Sequence, residues 1–214
     1  MTDKATPVMA DDGPPVEQLK KATAGTAGEI GAHCDLGAPA LRLLGDGSEA
    51  PTAFLRRLIE AGHLADAVTF LAHALPPREG VWWACQAART LGLGSDEALP
   101  RRTVRAAEAW VFQPVDARRR AAMSLAEELG FDVPASWAAV AAFWSGDSLA
   151  PAEQPKVAPE PHLYCHAVGG GVLLAASRGP ADRIAARQRG LLGLGVDIAN
   201  GGTGRPTTQV PGDN

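Results

Sequence analysis

Three side chains in the last third of the sequence have a spacing suited to metal binding. His162, Cys165 and His166 would lie on one face of a helix, because residues three and four positions apart are neighbours there. Imidazole and thiolate groups are common zinc ligands. No fourth ligand is evident nearby, and such residues more often serve packing or the surface. We therefore predict no metal site and no cofactor.

A second set of residues has types suited to proton transfer. His73 lies near the end of a predicted helix, and Glu79 follows the turn made by two prolines, so the two side chains could meet. The alternative is that Glu79 stabilises the first turn of the next helix, where acidic groups are favoured. An enzyme of unrecognised type, using His73, Glu79, Glu108 or the histidine–cysteine group, is therefore one alternative, but we predict no catalytic residue.

The sequence lacks the common strings for phosphate binding and for nucleophilic catalysis. No GxxxxGK[ST] or GxSxG string occurs, and the run Gly169 to Gly171 does not complete GxGxxG because Leu174 stands at the last position. These absences favour a binding protein over an enzyme.

Adjacent tryptophans are the first candidates for partner binding. On a helix, the side chains of Trp82 and Trp83 would point about 100° apart, so both cannot enter one narrow seam. Either the helix is central and packed on two sides, or one indole is exposed to a partner. We include both tryptophans among the predicted partner-binding residues.

Six arginines are the second candidates. They are predicted to form one basic corner that docks an acidic protein or peptide. The alternative is a solvated helix face whose charges are neutralised by Glu108, Asp116 and Glu127. The predicted corner comprises Arg101, Arg102, Arg105, Arg118, Arg119 and Arg120.

Composition excludes several classes of protein. The chain has 214 residues, 46% of them hydrophobic, and a net charge of −4, which argues against a general nucleic-acid binder. Its longest apolar stretch, 167–176, is shorter than the roughly 20 residues that span a bilayer. Three cysteines without a CxxC string are typical of a reduced compartment. We expect a soluble cytoplasmic protein that binds neither nucleic acid nor a membrane.

Hydrophobic periodicity predicts an all-α protein, a compact bundle of about eight short helices, with a helical solenoid as the minor alternative. Residues 1–46 have few apolar side chains and are predicted to be a flexible, disordered arm, with one short helix near 16–22. The helical domain is predicted at 47–200, with a proline-rich strap at 148–161, and a loose tail at 201–214. The predicted helices are 53–61, 64–75, 78–91, 101–112, 116–129, one through 137–144, 162–177 and 180–199.

Four strings carry a family resemblance: LAHALPPREGVWWACQAAR, AAMSLAEELG, WAAVAAFWSGDSLAP and VDIANGGTGR. With them, the segment 50–205 resembles an uncharacterised bacterial family, a domain of unknown function whose members are often encoded beside type VI secretion genes for spike, tip and adaptor proteins. The resemblance brings no catalytic residues.

We therefore expect a non-enzymatic accessory protein that binds another protein, such as an adaptor or chaperone that loads a type VI secretion effector. An immunity protein or a scaffold shares most of these features. The identity of the partner would distinguish them.

Overall fold

The computed structural model describes residues 16, 18–151 and 153–205. Within these ranges, ten α-helices and one 3-10 turn, Ala181–Arg183, form the regular structure, and no residue forms a β-strand. The prediction of an all-α fold is confirmed. The helices are α1 Ala27–Gly31, α2 Ala38–Leu44, α3 Pro51–Glu60, α4 Leu64–Ala74, α5 Pro77–Arg89, α6 Leu99–Phe112, α7 Asp116–Leu129, α8 Pro134–Trp144, α9 Leu163–Ser177 and α10 Ile184–Ala199.

Proline and glycine set many of the helix ends. Proline lies in the first turn of α2, α3, α5, α6 and α8, where its missing N–H has no helical partner to lose. Gly62 and Gly130 follow α3 and α7 with φ of 77° and 84°, a conformation that favours glycine. Each of the eight helices predicted within 53–199 is present. The last begins later than predicted because 181–183 forms a tighter turn.

Helix α5 is the centre of the bundle, because α6, α8, α9 and α10 all pack against it. Helix α4 packs against α3, α9 and α10 on another side of the core. Phe54 of α3 and Phe70 of α4 are both fully buried and meet edge to face, with ring centroids 4.8 Å apart. The buried side chains of these helices form one continuous hydrophobic core.

The run of three glycines lies inside an unbroken helix, α9. A Cβ atom on Gly171 would lie 3.0 Å from the Cβ atom of Trp137 in α8, which is tighter than ordinary contact. Open space faces Gly170. Close packing therefore explains Gly171, and the neighbouring glycine has no such requirement.

The segment 18–46, with Val16, differs from the predicted flexible arm. It contains α1 and α2, and Val16, Leu19 and Ile30 are buried in the core. Its backbone also forms a hydrogen bond to a helix that is distant in sequence: the Lys21 N–H donates to the carbonyl of Ala199 in α10 (3.0 Å). A few apolar groups suffice here, since they are buried against a core to which the other helices contribute most of the apolar surface. Residues 1–15 and 17 of the predicted arm lie outside the described residues.

The predicted short helix near 16–22 is wrong: the described residues there form a turn, and the first helix begins at Ala27. That helix starts with a capping box, in which Thr26 and Glu29 each accept from the other's backbone N–H. The capping-box sequence therefore marks the start of the first helix better than the apolar spacing near 16–22 does.

Two proline-rich or glycine-rich segments lack helix at their described positions. In the strap 148–161, the Leu149 N–H donates to the Val157 carbonyl (2.7 Å), so the segment folds back on itself. After α10, residues 201–205 form a turn, and the rest of the predicted tail, 206–214, lies outside the described residues. In the part of the chain that the structure describes, no helix has both the length and the apolar character needed to cross a membrane.

Candidate functional site

A groove of about 560 Å³ lies between the start of α5, the end of α6 and the turn after α10. Its apolar lining consists of Trp82, Val111, Phe112 and Ile198. Its polar lining comes from three parts of the chain, the N-terminal segment, α5 and the turn after α10: Lys21, Arg78, Glu79, Gly202, Thr203 and Arg205. The volume falls within the size range of ligand-binding clefts.

Trp82 and Phe112, the aromatic pair, lie edge to face at this groove. Their ring centroids are 5.7 Å apart and the interplanar angle is 70°. The Trp82 indole N–H donates to the carbonyl of Thr203 (2.8 Å), which fixes the ring against the turn after α10. Phe112 is the last residue of α6 and is 72% exposed. The pair therefore offers a large, fixed apolar surface to solvent.

The charged residues of the groove are mostly cations. Lys21 forms an ion pair with Glu79 (3.0 Å). Arg78 donates its Nε–H to the carbonyl of Val111 (2.8 Å), which holds the guanidinium at the end of α6. Within the described ranges, no carboxylate lies within ion-pair distance of Arg78 or Arg205. The groove is therefore positive on a chain whose net charge is negative.

Trp83 lies in the core, so its predicted role as a surface contact is wrong. The side chain is fully buried, and its indole N–H donates to the carbonyl of Leu191 in α10 (2.8 Å). A Cβ atom on Gly195 would lie 2.7 Å from Trp83 Cε2, so α10 approaches the indole closely. Because α5 is central, the two tryptophans face different environments, and only Trp82 reaches the groove.

The predicted basic corner is in fact two separate groups. Helices α6 and α7 are antiparallel: the Thr103 hydroxyl lies 3.5 Å from the carbonyl of Leu125, and Arg118 lies 3.4 Å from the carbonyl of Ala109. Arg101 is therefore separated from the level of Arg118 by about 12 Å along the helix axis. Each arginine group lies in the first turns of its helix. Because the two helices are antiparallel, their first turns lie at opposite ends of the pair.

The arginines of the first group, in α6, form their hydrogen bonds and ion pairs with residues at the same end of the helix pair. Arg101 donates to the carbonyl of Gly94 (3.0 Å from Nε), and Arg105 pairs with Asp96 (3.0 Å). Arg102 is exposed. These contacts correspond to the alternative of a solvated helix face, with Asp96 rather than Glu108 as the acidic partner.

The second group joins α7 to the segments around it. Arg118 donates to the side chain of Gln113 (2.8 Å), and Arg120 pairs with Asp116 (2.6 Å) and donates to the carbonyl of Ala150 (2.7 Å). The Arg120 hydrogen bond lowers the pKa of Asp116. These bonds hold the start of α7 against the strap.

Arg119 is buried, so its prediction as a docking residue is wrong. Its guanidinium pairs with Asp116, donates to the carbonyl of Phe143 (3.1 Å), and lies 5.0 Å from the centre of the Phe143 ring. It is 2% exposed and leaves no room for a Cβ atom at Gly146. Arg119 therefore ties α7 to the end of α8.

Four of the five histidines gather in a place that the sequence did not predict. We call His33, His73, His162 and His166 the histidine cluster. His33 stacks on His162 with ring centroids 4.1 Å apart, and His73 lies 5.3 Å from His166 and 6.2 Å from His162. A cavity of about 270 Å³ adjoins the cluster.

His73 is the buried member of the cluster. Its Nδ1–H donates to the carbonyl of Thr69 (2.9 Å), and its Nε2 has no hydrogen-bond partner among the described residues. Burial lowers the pKa of His73, and the three neighbouring imidazoles lower it further. Burial also lowers the pKa of His162, with a smaller effect from His33. Both side chains thus resist protonation in the folded protein.

The alternative of a proton-transfer pair is not assembled. Glu79 lines the groove and pairs with Lys21, whereas His73 lines the cavity beside the histidine cluster. Glu108 pairs with Arg89 (2.6 Å). Cys165 is buried, which raises its pKa to about 11. In the described ranges, no three histidine, cysteine or acidic side chains are arranged to hold a metal ion.

We expect the free energy of unfolding to fall as the pH is lowered through about 6.5, the ordinary histidine pKa. Because the pKa values of His73 and His162 are lowered in the folded protein, the unfolded chain takes up protons first as the pH falls. The stability is fully present above that pH and is lost towards the folded-state pKa values. Urea unfolding at about pH 7.5 and about pH 5.5 measures the difference.

A matched pair of variants assigns this pH dependence to the cluster. His162→Asn removes one imidazole, and asparagine tolerates the positive φ of 61° at this position. His63→Asn removes the histidine outside the cluster, at the start of α4. The first variant should show a smaller loss of stability on acidification than the second. An equal loss in both would contradict the assignment.

The fold and the groove define an all-α protein with a cationic, aromatic surface groove. A family model matches residues 54–199, more than half of the chain, and the protein belongs to that family, the family of unknown function DUF6931. The match includes the parts of α5, α6 and α10 that line the groove. Neither a curated protein nor a solved structure matches the chain.

Proposed function

We propose that this protein is a non-enzymatic accessory protein that binds another protein through the groove. The aromatic pair is the observation that carries the proposal, because Phe112 stays 72% exposed beside Trp82. The few residues that dominate binding energy in protein interfaces are enriched in Trp, Tyr and Arg, and phenylalanine is enriched at interfaces as well. Arg78 stands in the same groove, so both residue types are present.

We further propose a partner from a bacterial type VI secretion system. The support is the family resemblance, which implies that members are often encoded beside genes for spike, tip and adaptor proteins. In this role the protein is a cytoplasmic adaptor or chaperone that holds an effector for loading. An immunity or scaffold role would use the same groove, and the partner's identity distinguishes these roles.

Affinity purification of the tagged protein from its own host tests the proposal. The wild-type chain should recover a spike, tip or effector protein, and Phe112→Ala should recover at least about tenfold less, as expected for loss of an interface hot spot. Phe131→Ala is the matched control, because Phe131 is also exposed, at 46%, but lies outside the groove lining. Recovery of no partner, or recovery that does not depend on Phe112, would overturn the proposal.

A further inference from the structure

The positive charge of the groove is held by two arginines whose terminal nitrogens are available. Arg78 uses its Nε–H for the carbonyl of Val111, and its two Nη groups have no hydrogen-bond partner among the described residues. The side chain of Arg205 likewise has none in the described part of the chain; only its backbone N–H is bonded, to the Thr203 hydroxyl. A guanidinium with free N–H groups binds carboxylates through two parallel hydrogen bonds.

The third cation of the groove is already neutralised. Lys21 pairs with Glu79, which is the only acidic residue among the described residues of the lining. The indole N–H of Trp82 is also in use, because it donates to Thr203. The groove therefore offers guanidinium donors and aromatic surface, but no further indole donor, to whatever binds in it.

From this combination we infer that the groove binds a segment of the partner protein that presents a carboxylate beside an apolar side chain. The carboxylate faces Arg78 and Arg205, and the apolar side chain packs on the aromatic pair. This inference rests on the proposed function, and it adds the chemistry of the partner. Charge complementarity selects an acidic segment, because a basic one would bring like charges together.

Titration of the isotope-labelled full chain with short capped peptides tests the inference by nuclear magnetic resonance. The probe is the tetrapeptide DLDF, and the matched controls are NLNF and KLKF. The reporters are the indole N–H of Trp82 and the amides of Thr203 and Arg205, which all lie in the groove. DLDF should shift these signals saturably. NLNF should bind at least about fivefold more weakly, the size expected for losing exposed ion pairs.

Three variants locate the charge effect. Arg205→Gln should weaken DLDF binding by about threefold to fivefold, whereas Arg102→Gln, at an exposed arginine outside the groove, should leave it unchanged. Glu79→Gln removes the acidic residue of the lining and frees Lys21, so it should strengthen DLDF binding. Raising the salt concentration should weaken the wild-type interaction, because exposed charges are screened.

Several results would overturn the inference. Equal binding of the three peptides would show that charge is not selected, and equal effects of Arg205→Gln and Arg102→Gln would show that the charge lies elsewhere. Peptide-free contacts between residues 206–214 and the aromatic pair would assign the groove to this chain's own segment. Concentration-dependent shifts without peptide would assign it to a second copy.

Failure of this inference is distinguishable from failure of the proposed function. If all three peptides bind equally and Phe112→Ala abolishes their binding, the charge selection is refuted while the aromatic pair keeps its role. If instead host partners are recovered independently of Phe112, the proposed function itself fails.

Discussion

Trp83→Ala is expected to lower the free energy of unfolding by about 3–5 kcal/mol, the usual cost of removing a large buried aromatic side chain. The indole is fully buried between α5 and α10, and its loss removes the hydrogen bond that its N–H donates to the carbonyl of Leu191. The surrounding helices cannot readily close the cavity, because α5 is packed by four other helices. Urea unfolding followed by circular dichroism measures the change.

The neighbouring tryptophan is the matched control for this prediction. Trp82 is only partly buried, so Trp82→Ala should cost less stability than Trp83→Ala. It should instead reduce recovery of the partner. A loss below about 1 kcal/mol for Trp83→Ala would contradict the core position of that indole.

Arg119→Ala is expected to lower the free energy of unfolding by about 3 kcal/mol, because it removes a large side chain that is only 2% exposed and leaves a cavity between α7 and α8. The replacement removes the hydrogen bond that Arg119 donates to the Phe143 carbonyl and opens a void beside Gly146. It also removes the cation that Asp116 and Asp147 share. The same unfolding measurement applies.

A variant of the adjacent arginine separates the effect of losing a buried side chain from the effect of losing a positive charge. Arg118 is exposed and bonds mainly to the Gln113 side chain, so Arg118→Ala should change stability by no more than about 0.5 kcal/mol. Both variants remove one positive charge from the same turn of α7. Similar losses in the two would contradict the structural role assigned to Arg119.

Local sequence signals are sufficient to predict the helices from α3 to α10, because the ends of these helices carry strong backbone preferences. Gly62 and Gly130 have positive φ just where the apolar spacing stops, and Pro77 begins α5 in the turn that ends α4. The N-terminal segment was misjudged for a different reason. Its few apolar groups are too sparse to form a core alone, but Val16 and Ile30 add to a core built by other helices.

The candidate site was only partly predictable, because its residues meet through tertiary packing. Trp82 was identified from its adjacency to Trp83, but Phe112, Arg78 and Arg205 were not predicted to join it. One local signal was present: Arg78 and Trp82 are four residues apart, so they share a helix face. No local spacing indicates that this face meets the end of α6.

Tertiary packing also explains why the single basic corner is a wrong prediction and why the histidine cluster was not predicted. The arginines at 101–105 and 118–120 are close in sequence, yet the antiparallel arrangement of α6 and α7 separates them. Conversely, His33 and His162 are far apart in sequence, yet their rings stack. Distance along the sequence predicts neither the separation of the arginines nor the stacking of the histidines, because both depend on how the helices pack.

Site-specific photo-crosslinking in the living host tests the central claim most directly. Phe112 is replaced by p-benzoylphenylalanine, with the same replacement at Phe131 as the control, and the cells are illuminated. If the groove binds a partner protein, a covalent adduct with a secretion component will form at position 112 and not at 131. No adduct at 112, or the same adducts at both positions, would contradict the claim.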